Sequence, residues 1–321
     1  MRRALFLLIL GGVAAAAPPF ADPQTEALVW LQKMASAAQR LSYTGIFTYQ
    51  SGGNSETSRI THLVDATGQQ ERLEVLDGSP REVISTSAEV KCYLPDDKVV
   101  IVEKREDYKA FPALLPPSVG RLGEHYQIRL GGTARIAGLD SQQVILKPKD
   151  ALRYGHQLWA DAGSGLIVKA RTINERGETV ELFFFNQLQI SENIDPGSLK
   201  PGFDTEGEAW RVHNARALQS LTAGKEWQFK ASLPGFRKSA GMIRQSTSGQ
   251  EATHFVFSDG LASISVFIEP LAGEKAEEGS YAAGAVNVYK RIAGRHLVTV
   301  LGEVPLETLK RLGRGVEPRR K

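Results

Sequence analysis

The feature that most constrains this chain is a run of short β-prone segments between Tyr43 and Ile190. Twelve of them follow one another, from TGIFTYQ and SRITHLVD through KVVIVEK and HYQIRL to GLIVKARTI and TVELFFFNQ. They are divided by DATGQ, LDGSP, LPDDK, DAGSG and NERGE, where Gly or Asp supplies the positive φ or the local side-chain bonding that tight turns need. The separators leave no room for crossover helices, so the strands must run antiparallel as meanders. Tyr126, Ile128 and Leu130 alternate with His125, Gln127 and Arg129, giving one dry and one wet face. A sheet this long must curl. Ahead of it, Asp22-Pro23 opens a helix in which Leu28, Leu31, Met34, Ala35, Ala38 and Leu41 form an apolar stripe. The helix is expected to lie in the concave face, and the proline-rich, apolar segment Phe111 to Val119 to cover part of that face.

After Ser191 the pattern gives way to SENIDPGSLKPGFDTEGE, a linker composition. A second β-rich unit follows, including EWQFKASLPGFR, EATHFVFSD, GLASISVFIEP and RHLVTVLGEV, with Ser258-Asp259-Gly260 as a hairpin turn and a short helix at Pro305 to Leu312. The expected fold is α+β, mainly antiparallel β. It has a curved half-barrel sheet at residues 22–200 with a helix in its concave face, a linker at 201–208, and a smaller β-rich domain at 209–315 ending in a helix. A length of 321 residues with 42% apolar side chains suits two such cores.

The net charge of +3 is concentrated at the ends. Arg2 and Arg3 precede an apolar run and a stretch of small residues, so residues 1–21 read as a cleavable signal peptide and the mature protein as exported. Lys310, Arg311, Arg314, Arg319, Arg320 and Lys321 face only Glu317 near the C-terminus, ending in a basic tail at 316–321. The tail reads as a solvated end or as an attraction to anionic head groups. The body between is acidic, which argues against a nucleic-acid footprint. A single cysteine excludes an internal disulfide and any multi-thiolate metal site.

Local catalytic spacings are missing: there is no HExxH, Gly-x-Ser-x-Gly, Ser-x-x-Lys, Walker loop or GxGxxG. The six His (62, 125, 156, 213, 254 and 296) are scattered singly, Cys92 sits among apolar strand residues, and Asp96-Asp97 falls in a turn. No catalytic residue, metal ligand or cofactor is therefore assigned. What exceeds the needs of a flat sheet is the apolar content of the first domain: Tyr43, Phe47, Tyr126, Ile128, Trp159, Val168, Phe183, Phe184 and Phe185. Two readings stand: these side chains pack the sheet against its helix, or they line a space for an acyl chain.

The words SYTGIFTYQ, SRITHLVDATGQQERLEVLDGSPREVI, KCYLPDDK and FPALLP, then LPGFR, FSDGLASISVFIEP, GAVNVY and TVLGEVP, resemble in the same order the RseB/MucB family of periplasmic sigma-E regulators. The N-terminal half also resembles the half-barrel of the lipoprotein carriers LolA and LolB. The resemblance implies a non-enzymatic negative regulator in the Gram-negative periplasm. Such a protein holds the periplasmic part of an anti-sigma factor, RseA or MucA, and shields it from the site-1 protease DegS until lipid or lipopolysaccharide displaces it. A homo-oligomer is compatible with it, and a lipid or lipoprotein carrier is the alternative. On this reading Tyr43, Phe47, Tyr126, Ile128, Trp159 and Phe184 meet the acyl chain, and Phe255, Phe257, Leu261, Ile264, Val266, Phe267 and Tyr289 are candidates for the anti-sigma segment. Alternation sets Leu261, Ser263, Ser265 and Phe267 against Ala262, Ile264, Val266 and Ile268, and leaves open which set is core.

Overall fold

Pro23 carries the fixed φ of a first helical turn, and helix α1 (Pro23–Arg40) runs on from it. The side chain of Asp22 bonds no helix amide; its carbonyl instead accepts from Thr25 and Glu26. The helix buries Ala27, Leu31, Met34, Ala35 and Ala37, one stripe of a 3.6-residue repeat. The computed structural model describes residues 22–104, 114–116, 118–191, 193–205, 210–214, 218–219, 225–245, 251–271 and 277–319. The expected signal peptide, part of the Phe111 to Val119 segment and the last two residues of the basic tail lie outside them.

The stripe is buried by one large sheet. Its strands are β1 (Tyr43–Ser51), β2 (Asn54–Asp65), β3 (Gly68–Val75), β4 (Glu82–Ser85), β5 (Glu89–Leu94) and β6 (Val99–Lys104). After a short helix α2 (Leu122–His125) come β7 (Tyr126–Ile136), β8 (Leu139–Pro148), β9 (Gly155–Asp161), β10 (Ile167–Ile173) and β11 (Thr179–Ile190). The order β6-β5-β4-β3-β2-β1-β11-β10-β9-β8-β7 is two antiparallel meanders joined through β1 and β11. Register shifts at Ile46/Phe47, Leu130/Thr133 and Thr172/Ile173 bend the strands, as an unpaired extra residue does. The runs HYQIRL and TARIAGL, read as two strands, are spanned by β7 across one such bulge, with the end of the second run opening β8.

The expected linker is fastened to the first domain. Arg72 donates to the Ser198 carbonyl at 3.2 Å, and Gly202 donates its amide to Glu82 at 2.9 Å. Trp210 lies 6.4 Å from both Tyr93 and Phe203. Strand β12 (Arg211–Asn214), read from sequence as the start of the second domain, pairs in parallel with β6 as the twelfth strand of the first sheet.

The second unit holds β13 (Leu218–Gln219), β14 (Trp227–Phe229), β15 (Arg237–Gln245), β16 (Glu251–Ser258), β17 (Ser263–Pro270), β18 (Gly279–Ala283), β19 (Val286–Ala293), β20 (His296–Gly302), helix α3 (Leu306–Arg314) and β21 (Val316–Pro318). Its sheet runs β13-β15-β16-β17-β20-β19-β18, and α3 covers one face over β19 and β20. Ile264, Val266, Ile268, Val298, Val300, Leu309 and Leu312 form the core between them. The basic end is partly built in: Val316 is buried, and β21 pairs with β14.

Candidate functional site: a cleft clamped between two domains

The turn after β16 sets up the first contact between the domains. Asp259 Oδ1 accepts the amides of Leu261 and Ala262 at 2.9 Å each, and Gly260 takes the positive φ of +105° that such a turn requires. The other carboxylate oxygen reaches the first domain, 2.6 Å from Arg153 Nη1 and 3.0 Å from the donating Tyr126 hydroxyl. Both Arg153 and Asp259 side chains are fully shielded from solvent. Such a pair needs its remaining donors satisfied. Asp150 takes Arg153 Nε at 3.0 Å and Nη2 at 3.1 Å, and the Pro234 carbonyl accepts from the same guanidinium. The guanidinium lies 4.9 Å from the Phe236 ring centre. Nearby, Thr308 donates to the Leu152 carbonyl at 3.0 Å and Asn287 to the Tyr154 hydroxyl at 2.8 Å.

A second contact joins the hairpin turns of β1–β2 and β18–β19. The Ala285 amide donates to Ser51 Oγ at 3.1 Å. Gly52 and Gly284, both at positive φ, approach so closely that a Cβ on Gly52 would stand 2.2 Å from the Gly284 Cα. Only glycine fits here.

Between these contacts lies a cavity of about 830 Å³. The first domain contributes Leu114, Leu115, Pro116, His156, Leu158, Ala170 and Glu181; the second contributes Val256, Leu261, Ser263, Ser265 and Leu301. Burial pulls the His156 imidazole down to about 4, against the opposing charge of Asp259, so the ring is neutral at neutral pH. Its buried Nε2 has no hydrogen-bond partner. Glu181 accepts from the Tyr49 hydroxyl, and burial followed by that bond raises the Tyr49 phenol. The volume and the mostly apolar lining with a few polar groups suit a small ligand or a chain segment. Among the described residues no cluster of His, Cys, Asp or Glu could hold a metal ion.

Five of the six residues expected around an acyl chain belong to the core of the first domain or pack against it. Tyr43, Phe47, Tyr126 and Ile128 are 0–3% exposed in the core beneath α1. Phe184 alternates with the buried Phe183 and Phe185 and so points to the other side of the sheet, whereas the half-buried Trp159 packs against this core. Of the candidates in the second domain, Phe255, Ile264 and Val266 are core, and Phe257 and Tyr289 pack on it. Ala262, Ile264, Val266 and Ile268 are thus the inner set. The outer set brings Leu261, Ser263 and Ser265 to the cavity, with Phe267 farther along the same face, stacked on His254 at 4.1 Å. The sequence reading missed Arg153 and His156. Asp259 was visible only as a turn residue, since nothing local connects it to an arginine 106 positions away.

Residues 26–203 match the MucB/RseB N-terminal domain and residues 222–317 the MucB/RseB C-terminal domain. The sigma factor AlgU regulatory protein MucB of Pseudomonas aeruginosa is 32% identical over 99% of this chain and 98% of its own. The sigma-E factor regulatory protein RseB of Escherichia coli K12 is 24% identical over 97% and 96%. A crystal structure of MucB in complex with MucA(peri) superposes with a TM-score of 0.73 at 28% identity, covering 92% of this chain and 100% of that one. A further crystal structure of MucB gives 0.66 at the same identity and 98% of its length. The chain belongs to the MucB/RseB family of sigma-factor regulatory proteins.

Proposed function

We propose that this protein is a non-enzymatic regulator in the periplasm that grips the periplasmic part of an anti-sigma factor in the cleft between its domains. It thereby shields that segment from site-1 cleavage, and lipid or lipopolysaccharide releases it. The observation that supports the reading is the likeness, along nearly the whole chain, to a MucB solved in complex with MucA(peri), together with a cavity walled by both domains. The acyl chain belongs in the inter-domain cavity, because the aromatic residues of the half-barrel already fill the space under α1. Amphiphile and anti-sigma segment then compete for walls drawn from both domains, and linkage makes each weaken the other by one factor. A carrier needing only the half-barrel would leave Val256, Leu261 and Leu301 without a task.

The test is protease protection in trans. The mature protein should slow site-1 cleavage of its cognate anti-sigma factor at least tenfold, and added lipopolysaccharide should restore cleavage. Full cleavage at saturating regulator would refute shielding, and protection insensitive to lipopolysaccharide would refute release.

A further inference from the structure

The second sheet ends on a strand with nothing beside it. β18 is the last strand in the order, and none of the described strands pairs with its outer side. All five residues are exposed, and its sequence GSYAA holds no lysine, proline or bulge. Sheet edges are normally guarded by such features, because a bare row of amides and carbonyls accepts another strand. The β6 edge of the first sheet, by contrast, is covered by β12.

A second observation falls at the same place. Five large apolar side chains stand out into solvent among the described residues, and two of them, Tyr281 at 54% and Ile292 at 37%, lie on neighbouring strands at this edge. They share a face, since Tyr281 is opposite Val288 and Ile292 follows four positions on. That face continues inward through Val288 to Leu301, which lines the cavity.

We infer that the outer edge of β18 is a strand-docking site for an extended segment of the anti-sigma partner, which adds to the second sheet by main-chain hydrogen bonds. Its apolar side chains alternate onto Tyr281 and Ile292. Continuity with the cleft selects this occupant, so the inference rests on the reading of the partner given above. The β18–β19 turn has two residues, Gly284 (φ +64°) and Ala285, so Ala283 and Val286 make the doubly bonded pair nearest the turn. Alternation then turns the amides of Ser280 and Ala282 outward.

This geometry sets the experiment. Ala282→Pro removes an outward amide and no bond to β19, a change an edge strand tolerates. Calorimetric titration of the full mature chain with the periplasmic segment of its cognate anti-sigma factor should show at least tenfold weaker binding for Ala282→Pro and about fivefold for Tyr281→Thr. In the wild type, exchange of the Ser280 and Ala282 amides should slow at least tenfold on binding, a readout that stands even if Ala282→Pro folds poorly. Wild-type binding with both amides still exchanging freely overturns the inference and leaves the reading of the partner intact. No wild-type binding overturns both. Self-association that Ala282→Pro abolishes, with partner affinity unchanged, assigns the edge to a second copy and overturns it too.

Discussion

Replacing Asp259 by asparagine would take the anion out of the contact that joins the domains while keeping its shape. The amide oxygen can still accept from Leu261 and Ala262, so the turn keeps its local bonds. What disappears is the charge 2.6 Å from a guanidinium that is wholly out of solvent. Breaking a buried pair by removing one partner costs about 3–5 kcal/mol, because the remaining charge is left uncompensated. Asp150 stays on Arg153 with its own side chain 29% exposed, which places Asp259→Asn at the low end, about 3 kcal/mol. The loss falls on the docking of the domains, since neither core contains these side chains. Scanning calorimetry should therefore show one cooperative transition in the wild type and two in Asp259→Asn, the less stable domain melting first. The pair Arg153→Met/Asp259→Leu should regain most of the lost stability, because a buried ion pair replaced by apolar groups is often neutral. A single transition in Asp259→Asn, shifted by less than about 1 kcal/mol, would refute the reasoning.

Three other outcomes follow from the cleft. His156 titrates near 4 in the folded chain, below its ordinary 6.5. The unfolded chain thus binds the extra proton between those values, and stability present above about pH 6.5 falls as pH drops toward 4, by at most about 3 kcal/mol. His156→Gln should flatten that slope in denaturant titrations across the same range. Gly52→Val forces a Cβ against the Gly284 backbone at a positive φ and should destabilise the second contact by about 1–3 kcal/mol, seen as faster exchange of the Ala285 amide. Leu301→Trp puts a ring into the cavity and should blunt release by lipopolysaccharide at least tenfold, with unfolding free energy changed by less than about 1.5 kcal/mol.

Turn chemistry made most of the first sheet legible. Asp65 to Gly68 and Asp161 to Gly165 stand between strands where the reading placed them, because positive φ and local side-chain bonds are decided within four or five residues. The helix stripe was legible for the same reason. Choices that depend on distant partners were hidden. Alternation isolates Ile264 and Val266 from Ser263 and Ser265, but which set is inner depends on where α3 packs. The same holds for Phe184, whose face is set by Phe183 and Phe185 lying under α1, and for β12, whose partner β6 lies more than a hundred residues earlier. The cavity was illegible because its walls belong to two domains, and no single segment carries enough of it to leave a periodicity.

The pairing of β12 with β6 has a mechanical consequence. Asn214 is fixed to the first sheet and Leu218 to the second, with three residues between them. At about 3.3–3.6 Å per residue, that tether spans roughly 14 Å at full stretch. If the clamp lets go, the second domain cannot drift away; it stays within roughly one strand's length, at a high effective concentration for re-docking. Opening of the cleft is thus a bounded stroke with a built-in return, and a ligand that wedges the domains apart works against a short leash.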